Sequence, residues 1–407
     1  MSGAVIDPRT AGARTPPRRG MSLSWSDPRF RNLFWQVLIL GTVAAAVWYL
    51  VSNTNRNLEA RRIATGFTFL ARTAGIPIGE HLVEYNPATD TYGRALLVGV
   101  LNTLRVAVVG IVLATLLGTV VGIARLSHNW LIARLAAVYV EVLRDVPLLL
   151  QLLFWYSLLR LLPDARQAFN PVGGVYLSNR GLTVPVLDWQ PAHGWAVVAL
   201  LAGSAATLLW SRAATRRQAA TGVRPPVWPV ALGAMVAVPA LVWAALGAPF
   251  ALEMPRLGGS RFFPRLEGGA NLSPEFTALL IGLVTYTAAF IAEIVRSGIQ
   301  SVAQGQWEAG GALGLRRGTV LRQIVLPQAL RVIIPPMTSQ YLNLAKNSSL
   351  AVAIGYPDLV SIANTTLNQT GQSIEGVGLM MLAFLTISLS ISLFMNWYNA
   401  RIALVER

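Results

Sequence analysis

Lys346 is the only lysine in a chain of 407 residues whose other basic side chains are all arginine or histidine, and it stands in an apolar run reading YLNLAKNSSLAVAIGYPDL. An ammonium group there can neutralise a carboxylate, whether of a small substrate or of the protein. Asn343, Asn347, Ser348 and Ser349 flank it. Such groups cannot face lipid cheaply, so the run must turn them to protein or to a water-filled cavity. Two further apolar runs carry charges three residues apart, Glu141 with Arg144 and Glu293 with Arg296. That spacing puts each pair on one helix face, where opposite charges attract. A structural ion pair near the inner interface and a contact with substrate are both open to them. Tyr286 and Thr287 lie deeper in the run of Glu293 and are placed to line a polar path.

Bond-making chemistry has no comparable set of groups. His81, His128 and His193 are far apart, no serine, histidine and acid constellation stands out, and cysteine is absent. Disulfides and thiolate metal sites are therefore excluded. The pattern predicts recognition and passage by a non-catalytic chain that binds no cofactor.

The elements that must hold these groups are membrane helices. Apolar residues make up 54% of the chain and charged ones 13%, with mean hydropathy +0.52; a soluble protein carries about a quarter charged residues. Runs near the ~20 residues of a span fall at about 32–52, 95–124, 132–161, 195–211, 227–247, 276–297, 332–355 and 378–400. The expected fold is an all-α polytopic membrane protein of about eight spans.

The formal charge of +15 is spread through the connectors, without a folded basic domain to hold nucleic acid. It serves topology through the excess of arginine on the inner side. Arg9, Arg14, Arg18, Arg19, Arg29 and Arg31 mark residues 1–31 as a cytosolic tail, too long and polar for a signal peptide. An even span count then places both termini, with connectors 125–131, 212–226 and 298–331, in the cytosol, and 53–94 and 248–274 outside.

One of those connectors is ordered like a small domain: QWEAGGALGLRRGTVLRQIVLPQALRVIIPP, Gln306 to Pro336. Glycine at 314 can take the positive φ that ends a helix, and proline tolerates a new helix start. Two short helices bent at Gly314 are expected. The segment resembles the EAA loop of permease subunits of ABC importers, with Glu308, Ala309, Gly314, Ile324, Leu326 and Pro327 at the family's spacing. Gly310 departs from it, standing where the family usually has its second alanine. The resemblance implies a coupling helix that docks in an ATPase cleft, with Gly310, Ala312 and Leu313 also on the docking element. The chain itself has no G-x-x-x-x-G-K-[ST], so ATP would be bound by the partner.

Longer stretches narrow the resemblance. The segments around VEVLRDVPLLLQ and TYTAAFIAEIVR are similar to the polar amino-acid branch of that family. DTYGRALLVGVLNTL, NWLIARLAAVYVEVLRDVP, YLSNRGL and NLSPEF resemble the Q-type permeases of bacterial general L-amino-acid importers. This implies a type I permease core within 95–400, interrupted by an insertion at 162–275, preceded by an extra helix and connector at 32–94 and followed by a cytosolic C-terminus at 401–407. The implied partners are a cytosolic ABC ATPase dimer, a second homologous permease, a periplasmic amino-acid-binding protein, an L-amino acid and the lipid of the bacterial inner membrane. A one-chain secondary amino-acid transporter is the alternative, although no internal repeat of the kind it needs is clear.

Overall fold

The computed structural model describes Trp25 and residues 28–60, 65–259 and 264–402. Most of the expected basic tail, including Arg9, Arg14, Arg18 and Arg19, and most of the C-terminal segment lie outside the described residues. The chain divides near Phe67 into two units. The first holds helix α1 (Pro28–Ala60), whose stretch Phe30–Asn57 is apolar and long enough to cross a membrane.

The second unit begins with a connector that carries a short 3-10 turn at Thr68–Ala71 and then enters α2 (Tyr92–Ala124), where the Thr91 hydroxyl accepts the Arg94 backbone N–H as an N-cap. Helices α3 (Trp130–Asp145) and α4 (Leu148–Arg160) follow. They are the expected third span, broken in two. Pro147 forces Val146 into extended backbone, with φ −87° and ψ 128°. The Gln151 side-chain amide repairs the break by donating to the carbonyls of Leu143 and Val146, at 2.9 and 3.0 Å.

Among the described residues the insertion adds eight short strands that the expectation of an all-helical chain did not contain. Strands β1 (Phe169–Val172), β2 (Val175–Ser178) and β3 (Gly181–Val184) form a meander, followed by β4 (Val186–Leu187). A helical hairpin comes next, made of α5 (Pro191–Thr221) and the pair α6 (Trp228–Leu232) and α7 (Val238–Ala245), which a π-helical turn joins at Gly233–Ala237. The chain returns as β5 (Leu252–Glu253), β6 (Arg256–Gly259), β7 (Pro264–Glu267) and β8 (Ala270–Leu272). All pairings are antiparallel: β8 completes the sheet beside β3, β4 pairs with β5, and β6 with β7.

Helix α8 (Pro274–Gln300) is the most buried span. Beyond it lie α9 (Gln304–Ala312) and α10 (Arg317–Val320), a second π turn at Leu321–Val325, α11 (Leu326–Asn347), a 3-10 turn at Ser348–Ile354, α12 (Leu359–Thr370) and α13 (Ser373–Ile402). Among the described residues six helices are long and apolar enough to cross a membrane, and a bent pair, 317–354 with 359–370, makes a seventh. The broken α3–α4 span accounts for the difference from eight.

The core forms where α2 meets α8. Gly110, Ala114, Gly118 and Gly122 repeat every four residues along one face of α2 and are all buried. A Cβ at Gly118 would lie 2.7 Å from the Ile291 side chain and 2.8 Å from the Ala288 carbonyl; one at Gly122 would lie 2.7 Å from the Ala292 carbonyl. Small residues at this spacing let membrane helices touch backbone to backbone. Gly118→Leu should therefore force the helices apart, costing about 1–3 kcal/mol of packing, and the check is a lower melting temperature of the detergent-solubilised protein. An unchanged melting curve would contradict this account of the core.

Candidate functional site

The segment after α8 has the predicted two-helix shape. Gly314 sits at φ +71° between α9 and α10, and the turn closes through Gly314 N–H to the Gly311 carbonyl and Leu315 N–H to the Gly310 carbonyl. Gly310 is buried, and a Cβ there would stand 2.7 Å from a Val320 methyl. The departure from alanine at this position thus has a steric partner in α10. Glu308, Ala309, Ala312 and Leu313 are exposed, Leu313 at 77%, while Ile324 and Pro327 are half-buried and Leu326 is 39% exposed. Val302, Val320 and Val325, packed with Trp307 and Ile324, tie the element to α8 and α11. Between it and the α2–α3 turn lies a cavity of about 1220 Å³ that His128, Gln300, Glu308 and Arg317 help to line.

Glu293 and Arg296 pair as their spacing predicted, Arg296 donating to both carboxylate oxygens. Arg125, at the end of α2, joins them from across the interface. Glu141 and Arg144 behave otherwise. Both are exposed and, among the described residues, neither has an ion-pair partner within 4 Å; the Arg144 guanidinium lies over the Phe290 ring instead, 4.9 Å from its centre. Helix α3 carries it against α8, and the aromatic face of Phe290 supplies a contact for the cation.

A second charged cluster forms at the other end of the α2–α8 pair, from residues that sequence reasoning did not single out. Arg105 donates to Glu80 at 3.0 Å and stacks over Phe276. The Ser273 hydroxyl donates to the other Glu80 oxygen at 2.7 Å, and Asn102 donates to the Glu80 and Pro357 carbonyls. The signal was present: Arg105 is the one charge in α2 between Arg94 and its end, and a lone arginine in an apolar span needs a partner. In the same connector Tyr85 donates to the Ile76 carbonyl, and burial, with the Asp90 carboxylate nearby, raises its phenol above the usual value.

These clusters measure depth. Arg105 and Arg125 are separated by about 30 Å of helix, as are Ser273 and Glu293, and ~30 Å is the hydrocarbon thickness. Thr115 lies midway and donates to the Tyr341 hydroxyl at 3.0 Å. The level of Tyr341 is therefore midway between the two charged clusters. Ser339, Asn343 and Lys346 emerge on one exposed face of α11 around that level, in line with exposed Val332, Pro335 and Pro336. No carboxylate stands within 4 Å of Lys346 among the described residues. Asn347 is half-buried; Ser348 is fully buried and donates to the Ala345 carbonyl at 2.8 Å. Thr287 is buried in α8, and Tyr286 is half-buried with its ring against Phe290. Of the candidate path residues, then, Asn343 and Lys346 share an open face, and Thr287 and Ser348 point into protein.

Residues 231–404 match the family described as binding-protein-dependent transport system inner membrane component. The chain is 47% identical to the general L-amino acid transport system permease protein AapQ of Rhizobium johnstonii, over 97% of this chain and 98% of that one. It is also 47% identical to the putative amino-acid ABC transporter permease protein YhdX of Escherichia coli, over 95% and 98%. Identity is 43% to the glutamate/glutamine/aspartate/asparagine transport system permease protein BztB of Rhodobacter capsulatus, over 97% and 99%.

Proposed function

From the premise that this chain belongs to the amino-acid ABC transporter permeases, multi-pass membrane proteins with the type I importer fold, we propose how it performs that task and with which partners. A one-chain secondary carrier finds no support among these relatives. The permease lies in the bacterial inner membrane with both termini in the cytosol. It pairs with a second, homologous permease, receives an L-amino acid from a periplasmic binding protein and is driven by a cytosolic ATPase dimer, which binds the ATP.

The observation that carries the reading is the polar face of α11. Ser339, Asn343 and Lys346 are exposed near mid-membrane depth, where facing lipid is costly. A second permease closing on this face would convert it into a lined passage. Lys346 would then balance the carboxylate common to all amino acids, while Asn343 offers both a hydrogen-bond donor and an acceptor. Tyr286, Thr287, Asn347 and Ser348 would act behind this face, by holding α8 and α11 in place.

Transmission runs through α9. Glu308, Ala309, Ala312 and Leu313 would enter the ATPase cleft, with Gly310, Gly314, Ile324, Leu326 and Pro327 shaping and anchoring the element. Glu293, tied to Arg296 on its own helix and to Arg125 on α2, would make this end of the helix pair move as one piece when the ATPase closes. Glu141 and Arg144 would serve α3 at the same level, through Phe290.

Three measurements test the proposal. A cysteine at position 316 of this cysteine-free chain should resist an impermeant thiol reagent in intact cells; labelling from outside would reverse the topology. Lys346→Met should abolish amino-acid uptake while complex yield stays normal, whereas loss of the complex would assign Lys346 a structural role. Gly314→Val places a β-branched side chain at positive φ, a strain of about 1–3 kcal/mol, and should reduce co-purified ATPase and uptake together without lowering membrane abundance. Unaltered ATP-dependent uptake in Gly314→Val and in Glu308→Ala would remove this segment from the transmission path.

A further inference from the structure

The inserted hairpin contributes nothing to the polar face or to the coupling element, yet its composition is sharply biased. Between Asp188 and Glu253 the chain contains no acidic residue, and its charges are Arg212, Arg216, Arg217 and Arg224. All four are exposed. None has an ion-pair partner within 4 Å among the described residues. Helices α5 and α7 are each other's principal helix neighbours, and their outer faces are apolar and open, with Leu201, Leu208, Leu209, Val238 and Leu241 exposed.

Tryptophans set the hairpin's depth. Trp195 and Trp210 on α5 are fifteen residues apart, as are Trp228 and Trp243 on the returning arm, so each arm places indoles about 22 Å apart. Indoles favour the two headgroup interfaces. Arg212 lies two residues, about 3 Å of helix rise, beyond Trp210, and Arg216 and Arg217 lie within about 10 Å of it. The four guanidiniums therefore stand at headgroup level, near the Debye length over which a charged lipid surface acts. Arginine presents paired N–H donors that match phosphate oxygens.

We infer that the tip of the α5–α7 hairpin is a binding site for anionic phospholipid headgroups, formed by Arg212, Arg216, Arg217 and Arg224 beneath the Trp210 and Trp228 indoles. It would anchor the hairpin tip to lipid. The inference is independent of which leaflet the tip reaches.

The test uses the full-length permease, purified with its associated subunits into nanodiscs of phosphatidylcholine and phosphatidylglycerol, then stripped stepwise with detergent while retained lipid is identified by mass spectrometry. The wild-type protein should retain phosphatidylglycerol preferentially. Replacing all four arginines by glutamine should remove the preference, by about fivefold per charge, which is what ~1 kcal/mol for each basic residue near the surface corresponds to. Replacing them by lysine should preserve most of it and also preserve the positive charge that orients the hairpin. An unchanged preference in the glutamine variant would overturn the inference. So would loss of co-purified ATPase with lipid retention intact, since the arginines would then be a protein-docking surface.

Discussion

Backbone-close contact between α2 and α8 is the constraint on which the other features depend. In hydrocarbon, apolar side chains gain little by leaving lipid for one another, so association must come from packing, from polar contacts and from the release of lipid. The Gly110, Ala114, Gly118 and Gly122 face supplies the packing, against Ala288, Ile291, Ala292 and Val295 of α8 and, at Gly110, against Leu344 of α11. Larger residues at Gly118 or Gly122 would separate the helices. The ion clusters at both ends and the placement of α11 would change with them.

The polar contacts lie where the membrane tolerates them. Glu80, Arg105 and Ser273 close one end of the α2–α8 pair, and Arg125, Glu293 and Arg296 close the other. Each charge there is opposed by a partner, and between the clusters the pair is held by apolar packing and a few hydroxyls. Among the described residues, α11 presents Ser339, Asn343 and Lys346 on one exposed face. The same division also gives the two-helix element a rigid base, since α9 follows α8 within four residues of its end and packs through Trp307 onto the same cluster of valines.

Much of this was legible in the residues. The long apolar runs, the bend at Gly314 and the pairing of Glu293 with Arg296 are local properties, decided by hydropathy, by the φ that glycine permits and by i to i+3 spacing. Less legible was the break at Val146–Pro147, which divides a run that hydropathy alone reads as continuous. The strands of the insertion were hidden too. They are two to four residues long, too short for an alternating pattern to stand out, and the four-stranded sheet is completed only where β3 and β8, far apart in sequence, meet.

Sequence by itself determined that this chain crosses a membrane repeatedly and that two short helices bent at Gly314 follow the apolar run of Glu293. Those conclusions need only composition, local backbone preference and motif spacing. Tertiary structure alone decided which polar residues meet. Arg105 finds Glu80, and Arg125 joins Glu293, because two helices approach closely enough to share their ends; Arg144 turns from Glu141 to the ring of Phe290 on another helix. Asn343 and Lys346 stay open while Ser348 is buried, because helical rotation against neighbouring elements assigns each side chain its face. Spacing along one chain cannot supply that rotation.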